Sequence, residues 1–180
     1  EGCTLTISGE GSLKATGGVG AGIGASSMRK GSLGRIVIDG GNIEAYGSGM
    51  AAGIGGGLEG GIGTIVINGG TVYAKGGYGS YYKDIKNVYG GAGIGGGPFG
   101  CVDKIEINGG NVTACGGYVT NVKRRPGAAI GTGGGGAKPI GEGKYKYGDI
   151  VIKGGTVSAI AYNNEVYAIG IGVKPGQALQ

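Results

Sequence analysis

The sequence predicts a right-handed parallel β-helix, a solenoid of about five short coils with three strands each. Three observations carry that prediction. The phrase Ile-x-Ile-x-Gly-Gly followed by β-branched-x-Ala begins at Ile36, Ile65, Ile105 and Ile150, with a degenerate copy at Leu5, so the fold is an array of stacked units. Within each copy the apolar residues alternate with period two, as strands require. The 51 glycines come with only 4 prolines and no every-third-residue spacing, which excludes a collagen-like chain, and the apolar positions recur in register, which argues against disorder.

The unit is clearest from 64 to 97. Thr64-Ile65-Val66-Ile67-Asn68 is a β-branched alternating strand, and Gly69-Gly70 supplies the positive φ of a tight corner. Thr71-Val72-Tyr73-Ala74-Lys75 is the second strand, ended by Gly76-Gly77. A variable insert from Tyr78 to Tyr89 follows, then Gly91-Ala92-Gly93-Ile94-Gly95 as a short third strand. Copies recur every 29 to 45 residues from Ile36 to Ile150, so the inserts carry the variation. Glycine disfavours helix by about 1 kcal/mol per residue relative to alanine, so helices are expected to be nearly absent. A right-handed turn is the rule for parallel crossovers.

Alternation assigns the faces. The first wall points Ile36, Ile65, Ile105 and Ile150 inward, together with Ile38, Ile67, Ile107 and Ile152. The second places Ile43, Val72, Val112 and Val157 beside Ala45, Ala74, Ala114 and Ala159. The third offers Ile23, Ile54, Ile94 and Ile130, and in the last coil either Ile169 or Ile171 aligns with them. Outward on the first wall stand Thr6, Val37, Val66, Glu106 and Val151, an expected apolar stripe interrupted by an acid. On the third wall Gly22, Gly53, Gly93 and Ala129 take the outward positions. They make either a tight bend or a bare strip that seats a neighbouring domain or a second copy of the chain.

Composition narrows the function. The 16 basic and 11 acidic residues give a net charge of +5, but the basic residues are scattered except for Lys123-Arg124-Arg125, so no nucleic-acid partner is expected. Cys3, Cys101 and Cys115 lack C-x-x-C spacing for zinc and are too few for a disulfide framework; one pair plus a free thiol stays open. No apolar run approaches the roughly 20 residues of a spanning helix, and the chain opens at Glu1 without a basic-then-apolar segment. The expectation is one domain, 1–180, excised from something larger.

The inserts after the second strand are aromatic and basic. Tyr78, Tyr81, Tyr82, Lys83, Lys86 and Tyr89 come from one coil, Tyr118, Lys123, Arg124 and Arg125 from the next, and Tyr162 and Tyr167 from the last. In-register stacking lines them along one edge at a step near 4.8 Å. Tyrosine presents an apolar face with a polar tip, suited to sugar rings, and Lys and Arg favour acidic or sulfated sugars. The candidate ligand-binding set is therefore Tyr78, Tyr81, Tyr82, Tyr89, Tyr118, Lys123, Arg124, Arg125 and Tyr162. The competing reading is that the inserts only cover an edge.

Other constellations are weaker. Ser8, Asp39, Asn68, Asn108 and Lys153 share one corner position, where Asn and Asp serve turns and stacked amides form ladders; a calcium site would need several convergent oxygens. With 0 histidines, a Ser-His-Asp or Cys-His centre is excluded within this chain. Glu44 and Glu106 fall on different walls, against a paired-carboxylate glycosidase. A regular threonine array for ice is absent, and no cofactor or metal is expected.

Gly-Ala-Gly-Ile-Gly-Gly-Gly at 91–97 and Ile-x-Ile-Asn-Gly-Gly-Asn-Val-x-Ala at 105–114 resemble the glycine-rich repeat regions of secreted or wall-attached proteins of Gram-positive bacteria. That resemblance covers nearly the whole chain and implies an extracellular or cell-surface module, carbohydrate-binding or adhesin-like, with no catalytic residues to carry over. The expected function is non-catalytic binding of a polysaccharide or glycoconjugate, acidic sugars included, through the Tyr/Lys/Arg edge. The alternatives are a rigid spacer or stalk and a glycan-cleaving enzyme fragment.

Overall fold

The computed structural model describes residues 2–27, 32–81, 88–119, 124–135, 139–141, 144–145, 148–162 and 166–170. These residues form a right-handed parallel β-helix. Its first wall is a five-stranded parallel sheet of Thr4–Ile7, Ser32–Ile38, Gly61–Ile67, Val102–Ile107 and Asp149–Ile152. Ser12–Thr16, Asn42–Tyr46, Thr71–Lys75, Asn111–Cys115 and Thr156–Ile160 build the second. The third consists of the dipeptide strands Ile23–Gly24, Ile54–Gly55, Ile94–Gly95, Ile130–Gly131 and Ile169–Gly170. Among the described residues no helix is long and apolar enough to cross a membrane.

Like stacks on like because every coil repeats the alternation in register. Leu5, Ile36, Ile65, Ile105 and Ile150 form one column of the first wall, and Leu13, Ile43, Val72, Val112 and Val157 one of the second. Ile169 pairs with Ile130, which settles the register of the last coil. The inward side chains of the middle coils, Ile38, Ile54, Ile65, Ile67, Ile94, Ile107 and Ile130, are fully buried. Each such side chain contributes about 1.5–3 kcal/mol. Ile62 and Val102 extend this core beyond the repeat phrase, at the start of their first-wall strands.

Glycine is required at two recurring places. The corner after the first wall turns through Gly41, Gly70, Gly110 and Gly155, with φ between 86° and 90°. In the third wall Gly55, Gly95 and Gly131 sit at φ 135–139°, and a Cβ on any of them would stand 1.7–1.8 Å from the carbonyl oxygen of the next coil's glycine. Only a residue without a side chain allows the coils to approach so closely.

Two surface expectations are corrected. The glycines preceding the third-wall isoleucines do not form an outer strip: a Cβ on Gly53 would meet the backbone of Lys75 at 2.6 Å, one on Gly93 would meet Cys115, and both glycines are buried with Ala129. Their faces are occupied by the chain's own second wall. Nor is the valine stripe an exposed apolar surface. Val66 is buried because in-register neighbours Val37 and Glu106 flank it on both sides, and Val37 and Val151 are half-buried.

Candidate functional site

The outer face of the second wall is where the aromatic residues gather. Alternation that buries Val72 and Ala74 turns Tyr73 and Lys75 outward, and the Gly76-Gly77 bend then brings Tyr78 beside them. In the next coil Gly116-Gly117 repeats the bend and delivers Tyr118, and Tyr162 follows the last second-wall strand. Stacking aligns the rings. Tyr78 and Tyr118 lie 6.1 Å apart between centroids at 56°, and Tyr118 and Tyr162 lie 5.6 Å apart at 64°. These tilted and edge-to-face arrangements suit the ring quadrupoles.

The three tyrosines with Lys75 and Gly76 line an open cleft of about 220 Å³. As residues, Tyr78, Tyr118 and Tyr162 remain 54%, 39% and 40% exposed, so the cluster is accessible to a ligand. Lys75 Nζ stands 5.9 Å from the Tyr162 ring centroid, a cation–π contact that leaves its charge at the cleft wall. Among the described residues no carboxylate pairs with Lys75.

A second aromatic pair continues this surface. Tyr46 and Tyr73, in neighbouring coils, are 5.8 Å apart at 50°. Lys14 Nζ lies 5.4 Å over Tyr46, while Glu44 accepts a 3.1 Å hydrogen bond from the Tyr46 hydroxyl and pairs with Lys14 at 3.4 Å. The bond to Glu44 raises the Tyr46 hydroxyl above its usual pKa. Burial, with a hydrogen bond to Cys115 and the nearby Tyr162 and Tyr46 hydroxyls, pushes Tyr73 up to about 12. Tyr73 therefore stays neutral at any physiological pH.

The structure divides the predicted edge. Tyr78, Tyr118 and Tyr162 come together, but Tyr89 does not join them. It is buried, packed edge-on against Phe99 at 5.1 Å, and Arg125 lies over its ring at 5.5 Å. The reason is a local hairpin: Ser80–Tyr81 pairs antiparallel with Val88–Tyr89, which pairs in parallel with Arg124–Arg125. That hairpin turns Tyr89 toward Phe99, at the corner after the third wall; Val88 is buried as well. The backbones of Tyr81 and Arg124 belong to this small sheet. Tyr82 and Lys123 lie outside the described residues. Tyr46, Tyr73 and Lys75 are the members that insert-based reasoning misses, although the period-two pattern places all three outward.

Elsewhere the polar groups are engaged with one another. At the first corner Asn68 donates to Asp39 at 2.7 Å and Asn108 donates to Asn68 at 2.8 Å, an amide ladder along the solenoid. Glu106 accepts from Lys104 at 2.5 Å and from Lys153 of the next coil, and these hydrogen bonds hold its carboxyl at about 2, well below the ordinary carboxylate range. A carboxyl so depressed is unsuited to general-acid work near neutral pH. Glu44 belongs to the second wall, on a different sheet, tied to Lys14 and Tyr46. Cys3, Cys101 and Cys115 are all free thiols.

The repeat itself is shared with known sequences. A family model described as beta helix repeat matches residues 5–27, 36–58, 65–80 and 105–136, together more than half of the chain. The chain belongs to the beta helix repeat family. In this beta helix repeat protein the matched segments coincide with the coils, and the match breaks off at 80, within the insert, to resume at 105. Family membership therefore accounts for the frame that positions the tyrosines. Neither a curated protein nor a solved structure matches the chain.

Proposed function

We propose that this β-helix is a non-catalytic glycan-binding module, presented outside the cell as part of a bacterial surface protein. The cleft lined by Lys75, Tyr78, Tyr118 and Tyr162 is the observation that carries the reading. Partly exposed tyrosine rings combine apolar faces with hydroxyls, the pairing that stacks on sugar rings while exchanging hydrogen bonds. An ammonium without a carboxylate partner among the described residues favours sugars bearing carboxylate or sulfate. The glycine-rich repeat resemblance supports the extracellular setting.

A spacer reading draws on a different observation. Val88, Tyr89 and Val119 are buried, so part of the insert region is a satellite core that covers the coils. The two readings separate by titration against neutral, uronic-acid and sulfated oligosaccharides at low and physiological salt. Glycan binding predicts a saturable isotherm with one class, weakened about tenfold in Tyr118→Ala while the thermal midpoint is kept. A folded wild-type protein that binds none of them removes the glycan reading and leaves the spacer.

A further inference from the structure

We infer that the ligand is a linear polysaccharide lying lengthwise along the solenoid, its internal units spread over a strip that runs from the Tyr78–Tyr118–Tyr162 cleft to the Tyr46–Tyr73 pair. This rests on the glycan reading of the cleft and adds the form of the ligand and the residues of its second contact.

The strip is continuous in the fold. Tyr46, Lys75, Cys115 and Ile160 form one column on the outer face of the second wall, and Glu44, Tyr73, Thr113 and Ser158 form the column beside it. Tyr78, Tyr118 and Tyr162 follow the same wall's strands in three successive coils. Tyr73 carries the strip across: its ring lies 5.8 Å from that of Tyr46, and Lys75, two residues on along the same strand, lines the cleft. Aromatic rings therefore occupy the second, third, fourth and fifth coils without a break. At a strand spacing of 4.7–4.9 Å the strip extends about 14 Å along the axis, several times the width of a single pyranose ring.

Its shape selects a chain rather than a terminus. Binding a chain end needs an enclosed pocket that stops the ligand, whereas this cleft is open and its rings are flat platforms. The two cations also differ. Lys14 is neutralised by Glu44 at one end of the strip, while no carboxylate among the described residues pairs with Lys75 near its middle. The strip therefore offers its uncompensated charge near the middle, where an internal unit of the chain would lie.

The test uses cello-oligosaccharides and oligogalacturonides from disaccharide to octasaccharide, titrated calorimetrically against the whole chain and its variants. Affinity for the binding series is expected to rise with length and then level off once the strip is filled. Tyr46→Ala should weaken the octasaccharide about tenfold and leave the disaccharide unchanged, whereas Tyr118→Ala weakens both. Tyr46→Phe, which keeps the ring and loses the Glu44 bond, should retain the length dependence and so separates stacking from folding. Length-independent affinity, or full octasaccharide affinity in Tyr46→Ala, overturns the lengthwise mode while the cleft reading stands. Binding of neither series by folded wild-type protein overturns the inference together with the glycan reading for these sugars.

Discussion

Single residues in this molecule are tuned mainly by the coil above or below them, and Glu106 shows it. It occupies a position where its in-register neighbours are Val66 and Val151, yet it is tolerated because Lys104 on its own strand and Lys153 one coil on both reach it. Its pKa falls from 4.5 to about 2, so the folded state holds the proton less well than the unfolded chain. A depressed carboxyl contributes stability that is present above about 4.5 and disappears as pH drops toward 2. Glu106→Gln should therefore melt below wild type at pH 7, with the difference shrinking steadily as pH falls from about 4.5 toward 2. Because Lys104 and Lys153 are 40% and 57% exposed, the neutral-pH difference should also shrink in high salt. Thermal melts at both pH values, with and without salt, check this; a gap undiminished at pH 2 would assign the effect to packing instead.

At the scale of elements the third wall is the most demanding, because its strands are dipeptides and Gly55, Gly95 and Gly131 each lie directly against the backbone of the next coil. Gly95→Ala places a methyl 1.8 Å from the Gly131 carbonyl at φ 136°, so it should cost at least about 2 kcal/mol and reduce the yield of folded protein. Gly18→Ala, with open space around its Cβ, should change the urea midpoint hardly at all. Equal effects from the two substitutions would mean that the coils can spread apart. This contrast also marks what the sequence makes legible. The Ile-x-Ile and Val-x-Ala alternation declares a face at every second residue, and the first two walls and their register follow from it. Glycine has no side chain to declare a face, which is why Gly53 and Gly93 read as outward while their missing Cβ atoms point at the second wall. The site divides along the same line. Tyr78 and Tyr118 are readable because each follows a Gly-Gly bend, Tyr162 because it follows the equivalent strand of the last coil, and Tyr73 and Lys75 because they alternate with Val72 and Ala74. Tyr89 is not readable, since it lies in a hairpin whose pairing carries no periodic signal.

Across the whole molecule, stability should be graded along the axis, because each coil contacts only its neighbours. Inward residues that are fully covered in the middle coils are partly open in the outermost described ones: Ile67 is 0% exposed, while Ile152, two coils on in the same column, is 43% exposed. Leu5 and Leu13 show the same opening in the first coil, at 45% and 38%. Truncating a covered isoleucine forfeits its transfer energy and leaves a cavity, whereas truncating an open one forfeits only part of the first. Ile67→Ala should thus lower stability by about 2–5 kcal/mol and Ile152→Ala by less than about 1 kcal/mol. Amide exchange should follow the same gradient, with the strands of the third and fourth coils opening last and those of the first and fifth opening by local fraying. Urea titration of the two variants together with native-state exchange decides it. If Ile152→Ala costs as much as Ile67→Ala, and all coils exchange at one rate, the solenoid unfolds as a single unit. The aromatic strip would then be as rigid at the Tyr162 end as at Tyr73. If the gradient holds, the cleft straddles a firm side at Tyr78 and a softer one at Tyr162, and a ligand stacked across all three rings should slow exchange most in the last coil.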